Sequence, residues 1–462
     1  MTNKIPINPD IFRAYDIRGL APQELNERTG YLIGLEYGRF LKDAKRISVG
    51  YDIRKSGPTI KKGIIQGLAD AGKIVVDIGC VPTPMSYFSV CHYNLDGGIQ
   101  ITGSHNPPQY NGIKLQKGNA ECIYAENGIY DIRDRVVAQR DLPKTTAPQV
   151  TALDCTQDYI DYLSARLMLK RPLSIVIDNG NGTCGLIPER IFRSKGCKVK
   201  TIFAEPDDTF PNHIPDPSKI ATLKALQKEV VKTGADVGLA FDGDGDRVGI
   251  VDARGRVVSA DHILMLLARQ ALASRKGNVV IEVRASRTLI QDIKSHGGVP
   301  IMVPAGRAFV RDGMDRSRAV FGGELTGHIF YPMNHYQYDD GMFIALKLAE
   351  IVASTDFCGL VDSLPTSHKS EDIGVMVADR VKFDVVKKLT KRAKDQGLEV
   401  LDIDGARITF KEGWALVRAS NTTQMVKVLA EGDTKSALDS ILKEVFAMLS
   451  DLGVDVSKRD AH

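Results

Sequence analysis

The sequence predicts an α/β protein built from three related modules, closed by a fourth, smaller α+β domain. Three observations predict it. Short apolar runs of strand length alternate with amphipathic runs of helix length as far as Ala353, the pattern of mixed or parallel sheets covered on both faces. That alternation restarts twice at intervals of about 100 residues, which marks a repeated module. At 462 residues the chain also exceeds what one core can organise, and its length suggests about three or four domains.

In chain order, 24–41 reads as a helix, 47–49 as a strand, 59–71 as a helix and 73–78 as a strand. A helix over 84–93 and a strand over 97–101 follow. A polar stretch at 143–149 marks the first boundary. The second module has strands at 173–178, 198–203 and 237–241, with helices at 185–194 and 223–233. After Asp252-Ala253-Arg254-Gly255 the third has helices at 262–273, 288–295 and 341–353, with strands at 278–283 and 300–303. From about Lys369 the pattern changes. A helix through 387–396 precedes closely spaced strands near Val400, Arg407 and Leu416, a strand at 425–429 and a long amphipathic helix at 434–449. The expected domains are therefore 1–150, 151–254, 255–368 and 369–462.

Composition excludes several classes. Hydrophobic residues make up 43% and charged residues 26% of the chain, ordinary for a globular protein. The 61 basic and 57 acidic residues leave a formal charge of +4, too small and too evenly spread to point to nucleic acid or a membrane surface. Seven cysteines occur singly, with no C-x-x-C pair, so a reduced, cytoplasmic setting is expected rather than a disulfide framework. Met1–Asp10 lacks the apolar core of a signal peptide, and no run of about eighteen apolar residues offers a membrane span.

Four loops stand out chemically. Phe241-Asp242-Gly243-Asp244-Gly245-Asp246-Arg247 lies between two apolar strands. Three carboxylates at alternate positions repel one another unless a cation sits among them, and oxygen-only ligands select a hard ion such as Mg²⁺ over Zn²⁺. An EF-hand needs glycine and glutamate where this sequence has Arg247 and Ala253, so that reading fails; a solvated acidic turn is the bland alternative. Arg247 is suited to gripping a phosphate. In Ile101-Thr102-Gly103-Ser104-His105-Asn106-Pro107-Pro108, glycine permits a tight exit from the strand and two prolines forbid an immediate helix. Ser104 is thus expected in a stiff loop at a strand end, where α/β proteins place working residues; an ordinary polar turn is the other reading. Arg418-Ala419-Ser420-Asn421-Thr422-Thr423 could cradle a phosphate or form a turn. Gly322-Gly323-Glu324-Leu325-Thr326-Gly327-His328 could hydrogen-bond sugar hydroxyls or end a strand with a structural glutamate. Gly180-Asn181-Gly182-Thr183 lacks the Walker lysine and reads as a structural turn.

Together these loops resemble the α-D-phosphohexomutase family, and its bacterial phosphomannomutase/phosphoglucomutase branch in particular. Phe12-Arg13-Ala14-Tyr15-Asp16-Ile17-Arg18-Gly19 matches the family's N-terminal signature, and Thr102–Pro108 with Tyr110-Asn111-Gly112-Ile113-Lys114 matches its phosphoserine loop. The resemblance implies three α/β domains and a TATA-binding-protein-like fourth around a central cleft. It implies a phosphoryl group on Ser104, and Mg²⁺ held by Asp242, Asp244, Asp246 and an oxygen of the modified Ser104. Arg247 would act beside them, His105 and Lys114 would be the general acid/base candidates, and Tyr15 and Arg18 would touch substrate or support the site. Glu324, Thr326 and His328 would read the sugar. Arg418, Ser420, Asn421 and Thr422 would grip the phosphate that is not reacting. The implied reaction interconverts hexose 1-phosphate and 6-phosphate of mannose or glucose through a 1,6-bisphosphate, which also serves as activator. The implied partner is a small phosphosugar, and the chain a monomer or small homo-oligomer.

Some positions depart from the family pattern. Pro304 and Arg307 stand where lysine and histidine are common, so that Arg307 alone could bind phosphate there. Leu325 and Thr326 replace the methionine and serine of G-E-M-S-G-H, and Gln424 replaces a proline. A phosphoglucosamine mutase, a haloacid-dehalogenase-type phosphatase with Asp242 as nucleophile, and a non-catalytic sugar-phosphate binder remain the alternatives.

Overall fold

The structure, a computed structural model, describes residues 6–420 and 423–459. Its contacts gather into two compact units, residues 1–260 with 326–362, and residues 261–325 with 363–462. Among the described residues no helix is long and apolar enough to cross a membrane.

The first unit holds two mixed sheets. The larger runs in the order Ile17–Leu20, Tyr110–Lys117, Gly97–Ile101, Arg46–Tyr51, Ile74–Cys80, Val150–Ala152. The smaller runs Val248–Asp252, Val237–Phe241, Ser174–Asp178, Lys198–Ile202. Each has a parallel centre and turns antiparallel at one side by the same device. A fully buried strand ends in a loop, and the chain returns beside it: Ile101 pairs with Ile113 across one loop, and Phe241 with Val248 across the other. The serine and aspartate loops are these two connections.

Close glycine packing fixes the framework of the larger sheet. The helices Glu27–Phe40 and Gly57–Asp70 pack through Gly30, Gly34, Gly63 and Gly67. A Cβ on Gly63 would lie 1.9 Å from the Glu27 carbonyl oxygen, and one on Gly67 would lie 2.1 Å from that of Tyr31. Beyond the sheets, the helix Gly341–Ser354 is apolar nearly all round and buries twelve of its fourteen residues. It packs on the strands Val237–Phe241 and Val248–Asp252. Gly341 meets the backbone of the aspartate loop, where a Cβ would lie 2.7 Å from the carbonyl oxygens of Gly245 and Arg247.

In the second unit, Val299–Val303, Asn278–Glu282 and Phe321–Gly323 pair in parallel. A second, antiparallel sheet runs His368–Lys369, Met425–Gly432, Gly413–Ala419, Ala406–Phe410, Glu399–Leu401, with Ile373–Met376 also on Met425–Gly432. The helices Asp379–Asp395 and Lys435–Asp451 share a core with this sheet. The two parts join through Val283, Ala305, Trp414, Leu416 and Leu429. The buried Arg407 stacks on Trp414 at 3.6 Å and donates to the carbonyls of Val283 and Ala285.

The structure adds elements that the sequence pattern does not show, among them the helices Ile129–Ala138 and Thr156–Ser164, and three further elements differ from expectation. The helix expected at 387–396 begins at Asp379; only five of its 17 residues are buried, and Val381 and Phe383 of its first turns face solvent, so no clear buried stripe marks its start. Tyr110–Lys117 is a strand rather than loop. Arg307–Ser317 is a helix whose charged sequence hides a narrow buried face of Val310 and Met314.

The glycine-packed helix pair sets a stability test. Gly63→Ala should cost about 1–3 kcal/mol in equilibrium denaturant unfolding. Lys62→Ala, an exposed neighbour with a surface ion pair, should shift it by less than about 1 kcal/mol.

Candidate active site

Ser104 leaves its buried strand in the left-handed region, with φ of 49°, a conformation that costs an L-residue about 1–2 kcal/mol. The loop is tied from within. The Asp52 carboxylate accepts from Thr102 Oγ1 at 2.8 Å and from the Gly103 N–H at 3.1 Å, and Thr102 Oγ1 accepts the Ser104 N–H at 2.9 Å. So constrained, Ser104 Oγ donates to Asp242 Oδ2 at 2.8 Å and lies 3.2 Å from His105 Nδ1. An Arg247 guanidinium nitrogen is 3.4 Å from the same oxygen.

Asp242, Asp244 and Asp246 are each 0% exposed, and their oxygens converge within 4.8 Å. Glycines allow it. Gly245 has φ of 76°, and Gly243 lies against the serine loop so closely that a Cβ would be 2.4 Å from the Ser104 carbonyl oxygen. Two cations offset the three carboxylates. Lys114, on the returning strand, donates to Asp244 at 2.7 Å and Asp246 at 2.5 Å. Arg247 pairs with Asp242 at 3.0 Å and with Asp216 at 3.6 Å. Thr83, at the start of the helix Thr83–His92, donates its hydroxyl to the Asp244 carboxylate and its N–H to the Asp244 carbonyl at 2.8 Å. Burial pushes Asp242 up to about 7 against the pull of Arg247, with Asp244 and Asp246 adding to the rise. Burial acts the same way on Asp244, but Lys114 overrides it and holds that carboxyl well below its ordinary value.

Whether the cluster fits a metal can be read from its unused oxygens. Asp244 Oδ1 and Asp246 Oδ1 are buried and have no hydrogen-bond partner among the described residues. A buried carboxylate oxygen left unsatisfied is costly, and a hard divalent cation would satisfy both. The cluster therefore fits such an ion.

Of the other expected residues of this unit, His105, Thr326 and His328 reach the aspartates or Arg247. His105 touches Arg247, and burial together with that guanidinium holds its imidazole far below its ordinary pKa, hence neutral. Arg18 donates to Asn106 Oδ1 at 2.8 Å within the serine loop and pairs with Asp16 at 2.9 Å. Tyr15 is half-buried just before the strand Ile17–Leu20. The Thr326 carbonyl accepts from Arg247 at 3.4 Å. His328 Nδ1 lies 2.7 Å from Asp339 and 3.5 Å from Asp246, so it stands with the aspartates.

In the second unit Glu324 is buried at the end of the strand Phe321–Gly323. Beside it, Glu282 accepts from the Leu325 N–H at 2.9 Å and pairs with Arg284 at 2.8 Å. Burial disfavours the charge on Arg284, yet Glu282 and then Glu324 raise its pKa. Arg307 opens the helix Arg307–Ser317 behind Gly306, whose φ is 135°. Asp404 links Arg418 at 3.5 Å with the Ala305 N–H at 3.1 Å. Ser420 Oγ accepts from the Thr423 N–H at 3.1 Å and its hydroxyl at 2.7 Å. Asn421 and Thr422 lie outside the described residues. The four sequence loops do not include Asp52, Thr83, Asp216, Arg284 or Asp339, which belong to no recognisable motif.

Removing one oxygen charge should expose the metal function directly. Asp244→Asn should weaken Mg²⁺ or Mn²⁺ binding in isothermal titration by about ten-fold or more; unchanged affinity would place the ion elsewhere.

Four domain families of phosphoglucomutase/phosphomannomutase match the chain in order: α/β/α domain I over residues 9–139, domain II over 157–255, domain III over 259–366 and the C-terminal domain over 373–448. A Pseudomonas syringae phosphomannomutase/phosphoglucomutase is 38% identical over 458 residues, 98% of this chain and 97% of that protein. A Neisseria gonorrhoeae phosphoglucomutase is 36% identical over 96% of this chain and 97% of its own length. The crystal structure of a phosphoglucomutase/phosphomannomutase family protein from Burkholderia thailandensis superposes with a TM-score of 0.91 at 33% identity, covering 97% of this chain and 99% of that one. With every one of its four domains matched and relatives alike from end to end, this chain belongs to the phosphoglucomutase/phosphomannomutase family, the α-D-phosphohexomutases.

Proposed function

We propose that Ser104 is the phosphoryl carrier of a mutase that interconverts the 1- and 6-phosphates of mannose and glucose, sugars named in its relatives. The observation that carries this reading is the Ser104 hydroxyl, held 2.8 Å from Asp242 above two carboxylate oxygens that lack a hydrogen-bond partner among the described residues. Mg²⁺ held by Asp242, Asp244 and Asp246 would supply positive charge to the transferred group. Phosphorylation adds about −1.5 to −2 charges; the cluster, with Lys114 and Arg247 against three carboxylates, can take up phosphate and divalent cation together with little net change.

In the transfer, an oxygen of the free sugar hydroxyl bonds to phosphorus as the Oγ–P bond breaks. The hydroxyl gives up its proton and Ser104 Oγ regains one. His105, 3.2 Å from Oγ, and Lys114, which bridges two of the carboxylates, are the two side chains placed to take part in these proton transfers. Arg247, anchored by Asp242 and Asp216, stabilises charge on the equatorial oxygens. Arg18 and Tyr15 support the serine loop. Glu324, Thr326 and His328 read the hydroxyls. Arg418, Ser420, Asn421 and Thr422 hold the second phosphate, and Arg307 takes the place of a family histidine in reading the substrate. Return of the other phosphate of the hexose 1,6-bisphosphate to Ser104 completes the cycle, so that the same bisphosphate added from solution acts as activator.

Intact-mass measurement should find a partly occupied phosphate that is lost in Ser104→Ala, together with mutase activity; full turnover by Ser104→Ala would overturn the reading. A coupled assay on mannose, glucose and glucosamine phosphates should favour the first two, and a preference for glucosamine phosphate would reassign the sugar. Arg307→His should change KM several-fold while moving the unfolding midpoint little.

A further inference from the structure

Below the serine loop lies a guanidinium that the transfer itself does not use. Arg54 is 1% exposed and so reaches no substrate. One of its terminal nitrogens donates to the carbonyls of Pro107 and Tyr110, both at 2.8 Å. The other donates to those of Asn106 at 2.6 Å and Ser104 at 3.0 Å. Nε faces the Asp52 carboxylate at 3.3 Å, the same group that holds Thr102 and Gly103. The Phe210 ring lies 5.3 Å from the guanidinium carbon. The fit leaves no slack, since a Cβ on Gly103 would lie 2.5 Å from that carbon.

Four carbonyls on one buried cation is a large commitment of charge-assisted hydrogen bonds, and they begin at the one residue of the loop whose backbone is in a disfavoured region, Ser104 with φ of 49°. Left to itself an L-residue relaxes to negative φ. That rotation would swing Oγ away from Asp242. A planar fork can bond carbonyls on two sides at once; a lysine ammonium offers no such geometry.

We propose that Arg54 is the positioning residue for phosphoryl transfer, which clamps the carbonyls of Ser104, Asn106, Pro107 and Tyr110 and so holds Ser104 left-handed with Oγ aimed at the aspartate cluster. Asp52 is the counter-charge that orients the clamp. The inference rests on Ser104 being the phosphoryl carrier. Because Arg54 binds the carrier and not the sugar, its loss acts on the rate of transfer and leaves substrate affinity in place.

The test uses the full chain, phosphorylated with glucose 1,6-bisphosphate, and follows single-turnover loss of phosphate from Ser104 to glucose 6-phosphate. A first-order constant does not depend on how many molecules are folded, so it separates positioning from a merely structural role. In Arg54→Lys the constant should fall by about 100-fold, while the steady-state KM stays within about three-fold of the wild type. A constant unchanged in Arg54→Lys, with only the labelled fraction or the melting temperature lowered, would overturn the proposal. If Arg54→Lys does not fold, Asp52→Asn decides, because it keeps the shape of the side chain and removes the charge that orients Arg54. Its constant should fall by about ten-fold or more, and an unchanged one would overturn the clamp. Wild-type enzyme that takes no label on Ser104 would instead overturn the carrier reading itself. Labelled wild type with undisturbed variants sinks only the role of Arg54.

Discussion

Three carboxylates with no exposure to water, gathered within one ion's reach, are the constraint that shapes this site. Isolated buried charges of that kind are among the most expensive groups a protein can hold. The surrounding residues offset that cost. Lys114 bridges two of the carboxylates, Arg247 binds the third, and Thr83 donates to Asp244 from a helix start. The glycines at 243 and 245 are forced by the same crowding, one by the Ser104 backbone and the other by a left-handed turn. What this compensation leaves undone, two oxygens without a hydrogen-bond partner among the described residues, is where a metal ion would fit.

One structural device serves twice. In each sheet of the first unit a buried parallel strand ends in a loop and the chain returns antiparallel, once around Ser104 and once around the aspartates. Rooting both loops in paired strands sets their spacing by ladder hydrogen bonds rather than by loop preference. The returning strand then contributes Lys114 as well, so that one hairpin carries both the hydroxyl and a cation that neutralises the opposing loop.

How much of this was legible depended on whether chemistry was concentrated in the chain. The aspartate loop announces itself, because alternate acids framed by apolar strands repel one another unless a cation joins them, and the serine loop is marked by its glycine and prolines. The turn at 180–183 was also legible as structural, and it packs on the aspartate loop, Thr183 donating its N–H to the Gly243 carbonyl at 2.9 Å. Arg54, Asp52, Asp216 and Asp339 carried no signal. None belongs to a recognisable motif, and burial, which gives such residues meaning, is not written locally. The start of the helix Asp379–Asp395 was hidden for the opposite reason: little of it is buried, so its apolar stripe is too thin to read.

The helix Gly341–Ser354 has a consequence for how the enzyme comes into being. It covers the strands that carry the aspartate loop, and its first residue seats against that loop's backbone, yet about a hundred residues separate the two in the chain. During synthesis the aspartate loop therefore emerges long before its support. Until residue 354 follows, those strands offer an uncovered apolar face to solvent and to chaperones. The aspartate loop of the first unit is supported late, by a segment that arrives only after most of another sheet has been made.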